Sequence, residues 1–185
     1  VSSITPGPNN LMLMASGVNF GMRRTVPHML GVWVGCIAVM LAIGFGIGVL
    51  FSTLPAVRFA LEAAGILYTL YLAWKIASAG SFGLGPEASP HPFRFPAALA
   101  FQWVNPKLWV ISISAMALYV RPGPLLDDVA LVALVFSLVN IVCILIWAGF
   151  GAVLRDFLQV PGRMRAFNIA MGALLALSIL VILRA

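Results

Sequence analysis

Charged side chains are scarce in this sequence, and their scarcity excludes most soluble folds. Only 9% of its residues are charged, whereas roughly 25% is usual in soluble domains. Hydrophobic residues make up 62% of the chain, and the mean hydropathy is +1.07. A protein interior cannot enclose that much apolar surface, so much of it must face lipid. The composition therefore predicts an all-α integral membrane protein, because helices satisfy their own backbone groups within the bilayer.

Cysteine pairs and basic patches are also missing. Cys36 and Cys143 each stand alone in an apolar segment, so we expect small buried side chains and no metal or redox cofactor. The net charge is +6, but the eleven Lys and Arg residues are scattered singly and form no nucleic-acid patch. An intramembrane enzyme is disfavoured, because there is no Gly-x-Ser-Gly motif and neither histidine is placed with a Ser or Cys in the sequence.

Apolar runs long enough to cross a bilayer recur along the chain. A crossing helix needs roughly 20 residues. The predicted spans cover residues 27–53, 57–78, 97–120, 127–152 and 167–184, and a shorter apolar segment covers residues 9–20. We interpret the short segment as the second part of a helix whose start is truncated, capped at Asn9. The prediction is six transmembrane helices in one domain, residues 1–185.

The longest polar loop, about residues 80–96, separates two sets of three spans. Repeat one then covers about residues 1–79 and repeat two about residues 97–185. Because each set holds an odd number of crossings, the two repeats are expected to be inverted relative to one another. Pro8 and Pro106 open corresponding half-helices, and each is followed fifteen residues later by an arginine.

Basic residues are shared unevenly between the loops of the two sides. The richer side carries Arg23, Arg24, Lys75, Arg94, Arg155, Arg163 and Arg165, and the poorer side carries Arg58, Arg121 and Arg184. Loops rich in Lys and Arg stay in the cytoplasm. The first, third and fifth loops are therefore predicted to be cytoplasmic, with both chain ends outside.

Helix-breaking residues occur at two places where the chain otherwise reads as membrane helix. The first break is Thr5-Pro6-Gly7-Pro8-Asn9, and the second is Asn105-Pro106-Lys107. Breaks at membrane depth are tolerated only where the freed backbone groups face protein or a water-filled cavity. Proline-interrupted segments in corresponding positions of two inverted halves indicate a transport site near the bilayer midplane.

Lys107 is the most costly residue to place in the bilayer, at least ~2.5–3.5 kcal/mol on insertion scales. Together with two helix N-termini it would attract a carboxylate, while carbonyls of the unwound segment at Ile4 and Thr5 could accept from an ammonium group. Alternatively, Lys107 caps carbonyls freed at the other break, and both roles can hold together. The expected substrate-binding residues are Thr5, Pro6, Gly7, Pro8, Asn9, Asn105, Pro106 and Lys107.

Three further polar residues have less specific roles. Glu62 follows Arg58 by four residues, so it forms either an i,i+4 ion pair or an ion-coupling group that faces the cavity. His28 is expected at the membrane interface, and Asn140 is expected to hydrogen-bond between helices.

Together these motifs resemble the LysE/RhtB family of amino-acid exporters. The residues similar to its N-terminal signature are the first break followed by Gly17, Gly21, Arg23, Gly31 and Gly35. The segment 65–75 resembles its third-helix motif, and Asn105-Pro106-Lys107 matches its fourth-helix motif. The departures are Thr25 and Ala73, where the family often has Gly, and Thr69, where it often has Leu.

The resemblance implies a bacterial inner-membrane exporter, driven by the proton gradient, that moves amino acids or their derivatives outward. Its implied partners are a small zwitterionic substrate and the lipid bilayer, with no nucleic acid and no cofactor, and a homo-oligomer is left open. The alternative is an exporter or channel for another small metabolite or ion.

Overall fold

The protein is all-helical throughout the part of the chain that its computed structural model describes, residues 3–47, 54–78, 92–120, 125–158 and 160–182. The helices there are α1 (Pro8–Phe20), α2 (Met22–Ala42), α3 (Pro55–Ala77), α4 (Phe95–Val104), α5 (Pro106–Tyr119), α6 (Leu125–Phe157) and α7 (Pro161–Ile182). A π-helical turn, Ile43–Ile47, extends α2. The all-α prediction is confirmed.

Four of the described helices are long and apolar enough to cross a bilayer. The apolar stretches are Met22–Ile47, Phe59–Ala77, Leu126–Phe157 and Gly162–Leu180. The helices α4 and α5 are shorter, with 10 and 14 residues. The predicted span 97–120 is therefore two half-helices that meet at Asn105.

The helices expose large apolar side chains and bury polar ones. Phe59, Leu118 and Val153 are about three quarters exposed, at 74%, 74% and 76%, whereas Gln102 and Asn168 are fully buried. Lipid can solvate the exposed apolar groups, and neighbouring helices can satisfy the buried polar ones. The arrangement is that of a multi-pass α-helical membrane protein.

The most extensive helix contacts join α1 to α6, α2 to α4, and α3 to α7. Glycines set the closest approach between α1 and α6. A Cβ added to Gly17 would overlap the carbonyl oxygen of Ala148, and one added to Gly151 would overlap the carbonyl oxygen of Met14. Small residues thus allow the two backbones to touch, as is common between membrane helices.

Gly31 and Gly35 lie four residues apart on α2, so they place two small residues on one face of that helix. A Cβ at Gly31 would lie 2.7 Å from Ala98 Cβ, and one at Gly35 would lie 2.6 Å from Gln102 Cγ, so both glycines pack against α4. Gly44 and Gly48 have the same four-residue spacing, but Gly48 lies outside the described residues.

Three of the loops that are predicted to be cytoplasmic contribute arginines to the same end of the bundle. Arg23, Arg24 and Arg94 line one cavity of about 350 Å³. Arg155 lies against Gly21, where an added Cβ would be 2.7 Å from the Arg155 Nη1 atom. Gly21 has a φ of 76°, a conformation that favours glycine, and it joins α1 to α2 in this turn. Arginines of the first and third loops therefore share a cavity, and Arg155 lies against the turn that precedes Arg23.

Candidate functional site

The first break ends where α1 begins at Pro8. Gly7 is the N-cap in an extended conformation (φ −174°, ψ 175°), and Pro8 occupies the first helical position, where its missing N–H leaves no bond unmade. The prediction that Asn9 caps this helix is wrong, because Asn9 lies inside the first turn. Its side chain is therefore directed to another helix.

The second break separates α4 from α5. Asn105 is extended (φ −85°, ψ 101°) because Pro106 disfavours a helical conformation in the residue before it. The Trp109 Nε1 donates to the Trp103 carbonyl at 2.9 Å, so the freed backbone oxygen has a partner. On the other side α3 packs directly on the break, because a Cβ at Gly65 would overlap the carbonyl oxygen of Val104.

Lys107 joins the two breaks. Its Nζ donates to the Thr5 Oγ1 at 2.8 Å, the Thr5 carbonyl at 3.0 Å and the Pro6 carbonyl at 3.4 Å. The approach depends on Gly7, where an added Cβ would lie 2.8 Å from the lysine Nζ. In this structure Lys107 therefore caps carbonyls of the first break, which is one of the two roles that the sequence left open.

A reciprocal amide pair joins α1 to α4 beside this contact. Asn9 Nδ2 donates to Gln102 Oε1 at 2.8 Å, and Gln102 Nε2 donates back to Asn9 Oδ1 at 3.0 Å. The Cys36 thiol donates to the same Gln102 oxygen at 3.5 Å. Neither Gln102 nor Cys36 was predicted from the sequence to lie at the site. The available signal was a polar side chain three residues before Asn105 in an apolar run.

A small cavity of about 40 Å³ lies between the breaks. Residues from both breaks line it. The first break and α1 contribute Gly7, Pro8, Asn9 and Asn10, and the second break contributes Asn105 and Lys107. Cys36 of α2 and Asn140 of α6 complete its polar lining. The structure thus brings both predicted breaks to one cavity. Thr5 and Pro6 adjoin it through their bonds to Lys107, and Pro106 starts the helix that carries that lysine.

The cavity is electropositive. The N-termini of α1 and α5 both begin beside it, and neither has a side-chain cap. A helix N-terminus carries a partial positive charge, and Lys107 adds a full one. Among the described lining residues there is no Asp or Glu. The arrangement can attract an anion, while the Thr5 and Pro6 oxygens can accept from a cation.

Two other sequence predictions have different outcomes. Glu62 is half-buried on α3 and does not line the cavity, and the Arg58 side chain lies outside the described part, so their ion pair stays a prediction. The prediction of an interfacial His28 is wrong, because the ring is fully buried, packs edge-on against Phe93 and lies 2.9 Å from the Ser16 Oγ. Buried packing between α1 and α2 brought this Ser and His together.

Half-helices that meet across a polar cavity in a multi-pass bundle are typical of secondary transporters. In that class, substrate sites lie at helix breaks. The LysE type translocator family model matches residues 1–183. The chain belongs to this family.

The chain is also similar to curated bacterial proteins named cysteine/O-acetylserine efflux protein. Those of Escherichia coli strain K12, Shigella sonnei and Salmonella typhimurium strain LT2 are each 30% identical to it over 179 residues, which cover 95% of this chain and 88% of the relative. No solved structure matches the chain significantly.

Proposed function

We propose that the protein is an inner-membrane secondary exporter of amino acids or their close derivatives. The observation that carries the proposal is the ammonium of Lys107 held by the Thr5 and Pro6 oxygens between two helix breaks. Family membership supports an export role, and the relatives are named for the efflux of small amino-acid compounds. Such compounds carry one ammonium and one carboxylate, which are the two charges that this site can bind.

Substrate binding is proposed to exchange partners within the site. The substrate ammonium takes the Thr5 and Pro6 oxygens that Lys107 holds in this structure. The substrate carboxylate then pairs with the released Lys107 and with the two helix N-termini. A cavity of about 40 Å³ is too small for a whole amino acid. The structure therefore represents a closed state, and the two halves must move apart to load the site.

The inverted repeat is part of the same proposal, with α4 and α5 together forming one crossing. If a two-fold axis relates the two repeats, α1 corresponds to α4 and α5 together, α2 corresponds to α6, and α3 corresponds to α7. The contact of α1 with α6 then corresponds to the contact of α4 with α2, and the contact of α3 with α7 corresponds to itself. These are the most extensive contacts of the described bundle. A two-fold relation between the halves would produce this pattern and allow them to rock around a central site.

Glu62 is the proposed proton-coupling residue. It lies three residues before Gly65, and Gly65 touches the second break at Val104. A change in the protonation of Glu62 would alter the charge on α3 close to the point where α3 contacts the broken helix. Under this proposal, export is sensitive to a protonophore, and Glu62→Gln weakens that sensitivity.

The test is efflux from bacteria that express the full chain, measured as external accumulation of amino acids including cysteine and O-acetylserine. The wild type is expected to raise accumulation above a vector control, and Lys107→Met is expected to return it to the vector level, because the charge that binds the carboxylate is lost. Lys75→Met is the matched control, since Lys75 is exposed in the last turn of α3. Equal membrane levels are checked by immunoblot. Normal efflux by Lys107→Met would contradict the assigned role.

A further inference from the structure

Two buried polar atoms beside the cavity have no hydrogen-bond partner among the described residues. They are the acceptor Asn105 Oδ1 and the donor Asn140 Nδ2. Asn105 is 2% exposed and Asn140 is 9% exposed, and both line the 40 Å³ cavity. Buried polar atoms almost always have a partner, and an exception requires an explanation.

The neighbouring polar groups are already engaged. Asn9 and Gln102 bind each other, and Lys107 binds Thr5. The Asn140 amide lies beside the Cys36 thiol, but its Nδ2 makes no bond of ordinary geometry with it. Among the described lining residues, the buried side-chain atoms that remain for a ligand are therefore one donor and one acceptor. A water needs about 10–15 Å³ of such space, so a hydroxyl-sized group fits.

We propose that Asn105 and Asn140 form a subsite for a hydroxyl or thiol group on the side chain of the exported amino acid. Such a group accepts from Asn140 Nδ2 and donates to Asn105 Oδ1, which satisfies both atoms at once. The inference rests on the proposed function and deepens it, because it assigns a substrate class: small amino acids with a neutral side chain that both donates and accepts.

The rest of the wall restricts that class. Leu108, Ile111 and Phe136 contribute apolar surface to the same cavity. A cationic side chain would be buried beside Lys107 with no Asp or Glu among the described lining residues, which is strongly unfavourable. An anionic side chain would compete with the substrate's own carboxylate for Lys107. An apolar side chain of equal size would fit the space but would leave both amide atoms unpaired. The subsite therefore favours a substrate side chain that is polar and uncharged.

The experiment compares binding of three amino acids that differ in one group. L-serine and L-cysteine carry a hydroxyl or thiol where L-2-aminobutyrate carries a methyl. Affinity is measured from the ligand-induced thermal stabilisation of the purified full chain in detergent. We expect the wild type to bind serine and cysteine about tenfold more tightly than 2-aminobutyrate, from the hydrogen bonds that the methyl cannot make.

Asn140→Leu should reduce that preference to near one while 2-aminobutyrate still binds. Asn140→Ala serves as a second variant if the leucine is not accommodated. Asn168→Leu is the matched control, because Asn168 is also a buried amide on a long helix but binds Asn19 instead of lining the cavity. It should retain the wild-type preference.

Efflux of the same three compounds is measured in parallel, so that the two proposals can fail separately. Wild-type export without a preference for serine and cysteine, or a preference that survives both Asn140 variants, overturns the subsite and leaves the exporter intact. A binding preference that Asn140→Leu removes, in a protein that exports none of the three, supports the subsite and overturns the transport function.

Discussion

At the scale of single residues, Lys107 shows how a charge is accommodated inside an apolar bundle. Its ammonium has three oxygen partners, all from Thr5 and Pro6. Those carbonyls precede α1, and the Thr5 oxygen also accepts from Asn10 Nδ2 of that helix at 2.9 Å, so the lysine and α1 together satisfy the break. The sequence predicted that both breaks and the lysine matter, since proline and charge act locally. It left open whether the lysine caps the other break or binds substrate, because that contact depends on how the two halves pack.

Gly7→Ala tests how closely Lys107 must approach the first break. An added Cβ would lie 2.8 Å from Nζ and 2.9 Å from Cδ of the lysine, so the side chain must swing away from Thr5. We expect efflux to fall several-fold while the melting temperature changes little, because a flexible side chain can move. Gly149→Ala is the control, since no atom within 4 Å would meet its Cβ. Unchanged efflux would show that the contact is dispensable.

At the scale of helices, the second break is built into the packing of α3. The sequence predicted where α4 ends, because Pro106 cannot continue a helix. It could not predict that Gly65, thirty-nine residues before Val104, would lie against the Val104 carbonyl, since this contact depends on tertiary arrangement. The Asn9–Gln102 pair was missed for the same reason. The error at the start of α1 was local, because Gly7 and Pro8 outcompeted Asn9 as the helix start.

Gly65→Ala is expected to lower the free energy of unfolding more than a substitution whose added Cβ meets only a flexible side chain. Its Cβ would overlap a backbone oxygen at the break, and only a shift of α3 can relieve that overlap. Overpacking of this kind typically costs about 1–3 kcal/mol. Thermal unfolding in detergent measures the effect, with Gly149→Ala again as the reference. Equal melting temperatures for the two variants would mean that α3 is not held against the break.

At the scale of the whole molecule, the charge distribution agrees with the predicted topology. Arginines of the first and third loops line one cavity, and Arg155, in the last turn of α6 before the fifth loop, lies at the same end. This grouping could be predicted by counting charges, because orientation rules act on loops and need no tertiary contacts. The pairing of α1 with α6 could not, because the apolar faces of these helices are nearly interchangeable in sequence.

Reporter fusions test the orientation directly. Green fluorescent protein fused after Val160, in the fifth loop, should fluoresce, because it stays in the cytoplasm on the basic side. Alkaline phosphatase fused after Val120, at the end of α5, should be active, because that end is outside. The reversed pattern, with phosphatase active only after Val160, would invert the assigned topology.

The contact between Lys107 and Thr5 has a consequence for when such an exporter works. In this structure the Lys107 ammonium occupies the place that is proposed for the substrate ammonium. A tethered group of this kind competes at an effective concentration on the order of millimolar. Under the proposed mechanism, free amino acid would displace it only when the cytoplasmic pool becomes large. The protein would then export little at ordinary metabolite levels and become active only when its substrate is in excess. The bound Lys107 ammonium would also keep other cations from passing through the empty site.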